Sequence, residues 1–363
     1  MKILGLSIDS KILEPNSAVR ARIRQYGQLV DRFDLVVLGK KKATIELSPS
    51  VRVFGVKKNP RFFSWLRLYC QAKRVLALER YDVLTVQDPY FLAMIGRFLA
   101  KKFQLGWEIQ VHGFEKFYGL RKRLAYWTLS RADAVRTVGQ RLKRQLIDQF
   151  GVAEEKITVV PIYSDLNKNQ KPVARNTDKF IFLTVGRLVP VKNIKMQIEA
   201  MAQIVKVYPF VELWIVGEGP EGKNLKSKIE NLKLSDKVKL LGWQDNLEQY
   251  YLQADAFLLT SNYEGWGLAV IEAASYFLPI IMTDVGCAGE VIKNNESGIV
   301  IPVGDKEKLV EAILALIKDK ELGHRLGAAG RLAVENLPNK AESFLLYQES
   351  WNKALLNSRG KRE

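Results

Sequence analysis

The sequence predicts an α/β protein of two Rossmann-like domains, each built on a parallel sheet. Three observations carry that expectation. Short apolar runs that read as buried strands alternate with helical segments along nearly all of the 363 residues. A chain of that length fits about two domains, each with its own core. Between residues 161 and 178 the alternation stops: Pro161, Ser164, Asn167, Asn169, Lys171, Pro172 and Asn176 stand amid little apolar content, which marks a linker.

Taken in order, residues 2–8 read as a first strand and 18–30 as a basic amphipathic helix carrying Arg20, Arg22 and Arg24. Residues 33–39 and 51–56 are further strands. Residues 62–78 read as a helix whose stripe of Phe62, Leu66, Tyr69, Ala72 and Leu76 is expected to be buried. A strand (82–87), a helix (90–101) and a strand (107–111, ending at His112-Gly113) follow. Next come a helix (122–130), a strand (132–138), a helix (141–150) and a strand (157–160). No hairpin turn signal interrupts the series, so the first sheet is expected to be parallel. After the linker, strands are expected at 179–186, 210–217, 238–241, 254–260, 279–283 and 298–301. Helices at 306–317 and 341–356 finish the chain, the last with Phe344, Tyr347, Trp351 and Leu355 at helical spacing.

Composition excludes several classes. No apolar run approaches the roughly 18 residues of a membrane span, and Met1 leads straight into a strand rather than a secretory signal. A cytoplasmic protein, or one peripheral on the inner face of the cell membrane, is expected. Cys70 and Cys287 lie in different halves without metal-ligand spacing, and His112 and His324 are the only histidines, so no metal site is expected. Charge is uneven: residues 1–170 hold 31 Lys and Arg against 15 Asp and Glu, the remainder 25 against 24. So basic a first half suits a polyanion or an anionic lipid surface. The clusters Pro60 to Arg67 and Tyr118 to Trp127 mix aromatic and basic residues. Leu66, Tyr69, Leu124 and Trp127 fit a core stripe, whereas Phe63 and Trp65 fit it poorly.

The second half is organised around Ser261 to Asp284. Strands on either side flank a turn with Gly265, Trp266 and Gly267 that opens into a helix over 268–277. In a parallel sheet such a turn leaves free N–H groups and the positive helix end at the carboxyl edge, where anions bind. Glu264 lies in the turn and Glu272 about one turn inside the helix. Both carboxylates can face one crevice and accept hydrogen bonds from ribose or sugar hydroxyls. Gly186 to Asn193 likewise follows a strand and opens a helix, with Arg187 and Lys192 flanking the turn; a departing diphosphate needs such cations. Gly217-Glu218-Gly219-Pro220 and Gly242-Trp243 end two strands and could border a base-sized slot. No Gly-x-Gly-x-x-Gly follows the first strand of either half, which argues against a nicotinamide enzyme.

Glu264 and Glu272, with Gly265-Trp266-Gly267-Leu268 between them and Thr283-Asp284-Val285-Gly286 beyond, resemble the E-x7-E element of retaining glycosyltransferases of family 4 (group 1), whose architecture is GT-B. The resemblance implies two Rossmann-like domains with parallel sheets facing across a cleft. An acceptor-side domain would take residues 1–164, a nucleotide-sugar domain 165–340, and a last helix, 341–363, would cross back to the first. It implies no cofactor, the donor substrate being a UDP- or GDP-sugar. Arg187 and Lys192 would meet the diphosphate with Gly186, Gly267 and Leu268, and Glu272 the ribose. Glu264 would meet the donor sugar, and the turns at Gly217, Glu218, Gly242 and Trp243 the base. His112, which stands where the family has a histidine before a small residue, would point at the donor sugar. No Asp-x-Asp pair occurs, in keeping with a metal-independent enzyme.

The sequence departs from the family at the acceptor side. Ser7 to Asn16, holding Asp9 and Ser10, replaces a glycine-rich loop; Val138-Gly139 replaces a usual serine; Pro161 to Asp165 replaces an Asn-Gly pair. Asp9, Ser10 and Asp88 end the first and a later strand and are expected to face the cleft from the first domain's side. The basic first half suggests a saccharide acceptor linked to a polyprenyl diphosphate, as in surface polysaccharide or lipopolysaccharide synthesis. A soluble transferase on a small or polymeric sugar is the alternative. A basic nucleic-acid-binding protein is the non-enzyme alternative, although no nucleic-acid motif stands out and no nucleic acid is expected.

Overall fold

A computed structural model describes residues 1–58, 61–113, 119–164 and 178–360 of the chain. Most of the predicted linker, together with Pro60 and Tyr118 of the two basic clusters, lies outside them. The chain divides into two units, Met1–Pro161 with Pro338–Glu363, and Ile162–Leu337. Among the described residues no helix is long and apolar enough to cross a membrane.

The first unit begins with β1 (Lys2–Ser7), α1 (Ala18–Tyr26), β2 (Arg32–Gly39), β3 (Ala43–Ser48), β4 (Val51–Lys57), α2 (Arg61–Leu78) and β5 (Val83–Val86). It continues through α3 (Phe91–Phe103), β6 (Gly106–Val111), α4 (Gly119–Leu129), β7 (Ala134–Thr137), α5 (Gln140–Phe150) and β8 (Ile157–Val159). Its sheet runs β3-β4-β2-β1-β5-β6-β7-β8. Every pairing is parallel except β3 with β4. That antiparallel strand corrects the expectation of an uninterrupted parallel sheet. Its sequence, Ala-Thr-Ile-Glu-Leu-Ser after three lysines, is half exposed at the sheet edge, where a long apolar run is not required.

Parallel strands are covered on both faces and therefore read as continuous apolar runs; seven of the eight residues of β2 are buried. Ile23 and Tyr26 of α1 join Ile3, Phe33, Leu35 and Val37 in one core cluster. The same cluster takes Trp351 and Ala354 of the last helix (Lys340–Arg359, labelled α12 below). Trp351 is fully buried, and the Ser350 hydroxyl donates to buried Glu108. Arg136, 3.2 Å from the same carboxylate, lies 4.0 Å from the Tyr347 ring centroid. The opposite face carries α2 and α3. Helix α3 packs so tightly that a Cβ at Gly96 would come within 2.7 Å of Val86. On α2 the buried stripe is Ser64, Leu68, Ala72, Val75 and Leu76; Leu66, expected in the core, faces solvent with Phe63.

The second unit comprises β9 (Phe180–Val185), α6 (Ile194–Val207), β10 (Val211–Val216), α7 (Gly222–Asn231), β11 (Val238–Leu240), α8 (Glu248–Gln253) and β12 (Ala256–Leu259). Then come α9 (Leu268–Ser275), β13 (Ile280–Thr283), β14 (Ile299–Ile301), α10 (Lys306–Lys318) and α11 (Lys320–Glu335), before α12 returns to the first unit. Its sheet, β11-β10-β9-β12-β13-β14, is parallel throughout. Helix α11 was not expected. Its glycines lower helix propensity, but Gly327 lets the helix close on the turn at Phe277, whose carbonyl oxygen would lie 2.2 Å from a Cβ there.

Candidate active site

The order of the second sheet fixes where its crevice lies. β9 and β12 are neighbours, although the chain visits β10 and β11 between them. From β9 it moves to one side and from β12 to the other. The connections at their carboxyl ends therefore diverge and leave the opening where ligands of open α/β sheets bind. Both sequence motifs stand there: Gly186 to Asn193 after β9, and Thr260 to Gly267 after β12.

The first turn is held by its neighbours. The Gly186 N–H donates to the Val216 carbonyl at 2.9 Å, the Leu188 N–H to Glu218 at 2.9 Å, and the Gly217 N–H to Gly242 at 2.7 Å. Three strand ends are thereby joined, at a separation only glycine tolerates. Gly217 has φ +135°, and a Cβ there would lie 2.0 Å from the Gly186 oxygen. Exposed Glu218 accepts the Trp243 N–H at 3.4 Å, while the exposed Trp243 indole donates to Asp245 at 3.1 Å. Arg187 is exposed and has no side-chain partner among the described residues.

Lys192 closes the turn Pro190–Lys192, and Asn193 takes the left-handed conformation that lets α6 start. A buried polar chain fixes this bend. The Thr184 hydroxyl lies 2.7 Å from Gln197 Oε1, Gln197 Nε2 donates to Thr260 at 2.9 Å, and the Thr260 hydroxyl reaches the Lys192 and Asn193 carbonyls at 3.2 and 3.1 Å. The Asn262 N–H adds a bond to the Val191 carbonyl at 2.7 Å. Lys192 is thus aimed across the opening, with Nζ 2.5 Å from Glu264 Oε1. The Ser261 hydroxyl donates to that same oxygen at 2.7 Å. Among the described residues Glu264 Oε2 has no partner, and two of the three ammonium donors of Lys192 remain unused.

Beyond Glu264 the chain passes Gly265 and turns at Gly267 (φ +97°) into α9. No side chain caps that helix, and among the described residues the N–H groups of Leu268 and Ala269 have no acceptor. Gly286, at φ +56°, permits the close approach that supports the loop: a Cβ there would lie 2.5 Å from the Trp266 oxygen. The Cys287 N–H donates to that oxygen at 2.9 Å. The Trp266 indole is 2 % exposed and turned into the core, so this residue borders the site through its backbone alone. Glu272 lies just over a turn into α9. Its Oε2 accepts the Tyr251 hydroxyl at 2.9 Å, and Tyr251 stacks on Tyr276. Desolvation raises the Glu272 pKa, and the tyrosine hydrogen bond offsets only part of that rise.

Ser261, Thr260, Gln197, Thr184 and Tyr251 were not singled out from the sequence. Gln197 had a signal: an amide between Met196 and Ile198 on the buried side of a helix requires partners.

His112 stands at the carboxyl end of β6 in the first unit, exposed to solvent. Its pKa is lowered to about 4, by desolvation first and then by the Arg136 and Arg22 charges. All three effects act in the same direction, and the imidazole is neutral at pH 7. At the carboxyl end of β1, Asp9 accepts the Lys11 N–H at 3.1 Å and caps a short turn over Ser10–Leu13. After β5, Asp88 accepts the Tyr90 N–H at 2.8 Å; desolvation raises its pKa against that bond and the Arg121 charge.

Residues 165–333 match the family described as Glycosyl transferases group 1, and residues 15–162 match the Glycosyl transferase 4-like domain. The chain belongs to the group 1 glycosyltransferases. The chain is 31% identical over 170 residues to N-acetyl-alpha-D-glucosaminyl L-malate synthase of Bacillus anthracis, covering 47% of the chain and 44% of that protein. The chain thus spans less than half of that relative. It is 27% identical over 318 residues to UDP-Gal:alpha-D-GlcNAc-diphosphoundecaprenol alpha-1,3-galactosyltransferase of Escherichia coli, covering 80% of the chain and 82% of that protein. Among solved structures it is similar to Anabaena Alr3699/HepE in complex with UDP, with TM-score 0.78, 21% identity, and 97% of this chain and all of that one covered. Its two parallel-sheet units are those of the GT-B architecture.

Proposed function

We propose that this glycosyltransferase moves a hexose, with retention, from a UDP- or GDP-sugar to a saccharide acceptor. The observation that supports this best is the bridge across the second sheet's opening: Lys192 paired with Glu264, beside the uncapped start of α9. In the proposed reaction the bond from the sugar's anomeric carbon to the diphosphate oxygen breaks while an acceptor oxygen bonds to that carbon from the same face. The acceptor's proton passes to the departing phosphate. Charge grows on the diphosphate as the bond breaks. Arg187, the free donors of Lys192 and the amides around Gly267 and Leu268 would take it up, doing what a metal ion does in other transferases. Glu272 would accept the ribose hydroxyls, and Glu264 would hold the donor sugar. The turns at Gly186, Gly217, Glu218, Gly242 and Trp243 would border the base, and neutral His112 would bond a sugar hydroxyl.

The acceptor is proposed to be linked to a polyprenyl diphosphate at the inner face of the membrane, in surface polysaccharide or lipopolysaccharide synthesis. The Escherichia coli relative is named for a diphosphoundecaprenol-linked acceptor, and the basic first half suits one. A small soluble acceptor is the second reading, favoured by the malate in the Bacillus anthracis relative's name. Calorimetry with UDP, GDP and their glucose and galactose conjugates tests the donor site. One diphosphate is expected to bind with 1:1 stoichiometry without added metal, and failure of all of them to bind would refute the assignment.

A further inference from the structure

Helices α2, α3 and α4 of the first unit carry a pattern that sugar transfer in the second unit does not require. Together they hold ten Lys and Arg (four, three and three) and no Asp or Glu. The helix dipole does not explain this. Cations suit the last turn of a helix, yet Arg121, Lys122 and Arg123 occupy the start of α4, where the dipole disfavours them. All three are exposed.

The same helices expose large apolar side chains. On α2, Phe63 and Leu66 face solvent ahead of exposed Arg67, Lys73 and Arg74. On α3, Phe91 and Phe98 are exposed ahead of Lys101 and Lys102. On α4, Leu120 and Tyr126 are exposed around the three cations. The Trp65 and Phe91 rings stack with centroids 6.1 Å apart, joining α2 to α3, and α3 in turn contacts α4. Isolated surface hydrophobes are ordinary; a row of them on three adjacent helices whose own charged residues are all Lys and Arg is not.

We infer that the face formed by α2, α3 and α4 docks on an anionic bilayer, the apolar side chains entering the interface and the cations meeting lipid headgroups. The complete lack of carboxylates on these helices identifies a polyanionic partner, and the protruding Phe and Leu side chains favour a lipid surface over nucleic acid. The first residues of α3 follow β5 and those of α4 follow β6, so the apolar rows begin at the same sheet edge as Asp88 and His112. The inference extends the lipid-linked acceptor proposed above, but its test does not depend on it.

Flotation of the full chain with phosphatidylcholine vesicles, with and without 30 mol% phosphatidylglycerol, decides the matter. Binding is expected only with the anionic lipid and should weaken at least tenfold between about 50 and 500 mM salt, as screening lengths shorten. Lys122→Glu with Arg123→Glu, and separately Leu66→Ser with Phe98→Ser, should each weaken it at least tenfold while UDP or GDP binding by calorimetry stays unchanged. No anionic-vesicle binding, equal binding to neutral vesicles, undiminished binding by both double variants, or tight binding to DNA or a protein in place of vesicles would each overturn the inference. Vesicle binding without nucleotide binding would instead overturn the donor-site proposal and leave this one standing.

Discussion

Lys192→Ala separates a catalytic cation from a structural one. The ammonium is 2.5 Å from Glu264 Oε1, and the side chains are 22% and 12% exposed. Removing it strands a carboxylate that keeps the Ser261 hydroxyl and partial solvent contact. The stability cost should therefore fall below that of breaking a fully buried pair, at about 1–2 kcal/mol. In a unit of this size that lowers Tm by about 3–8 °C. Loss of a charge aimed at a developing anion should instead cost about 10²–10³ in kcat. Thermal unfolding and donor-sugar hydrolysis or transfer, measured on one preparation, give both numbers. Adding Glu264→Gln sharpens the test: the double variant should recover Tm, because no carboxylate is stranded, but not turnover. Turnover within about threefold of the parent in Lys192→Ala would refute the reasoning, as would recovery of turnover together with Tm.

Two further outcomes follow from the geometry. Glu272 has a folded-state pKa above its unfolded value, so its contribution to stability is greatest below the unfolded pKa and is lost as pH rises through the folded one. Glu272→Gln should be at least as stable as the parent at pH 7 yet bind nucleotide about 10- to 100-fold more weakly, by loss of a charged acceptor. Parent affinity should also fall as pH drops through the raised range while the variant's does not; parallel pH profiles would refute the ribose role. Gly217→Ala should cost about 3 kcal/mol or more in urea unfolding, since φ is +135° and the Gly186 oxygen blocks the new methyl. A loss under about 1 kcal/mol would show that the joined turns relax easily.

The candidate site of the second unit was the more legible in the sequence, because it is made by local chemistry. Glycine-punctuated turns after apolar strands fix the positions of Arg187, Lys192 and Glu264 within seven residues of a strand's end, and the helix that follows the second turn carries Glu272. What the sequence withheld depends on packing between distant segments. Trp266 sits among candidate ligand-binding residues, and only the closure of Gly286 beneath it shows that the indole is core. Leu66 fits an apolar stripe with Tyr69, Ala72 and Leu76, but the buried face runs through Ser64, Leu68, Ala72, Val75 and Leu76 and leaves Leu66 outside it. Helix α11 was hidden by its own glycines, and β3 by the three lysines ahead of it. The network from Thr184 to Thr260 joins residues far apart in the chain and leaves only Gln197 as a local trace.

Trp351 completes a core begun by Ile3 and Phe33. The first unit therefore lacks one wall until the ribosome has passed α12, whereas Ile162–Leu337 is continuous and can mature earlier. A nascent chain should thus complete Ile162–Leu337 before the first unit closes. An amino-terminal fragment released before α12 emerges would display Tyr26 and Phe33 to chaperones and proteases.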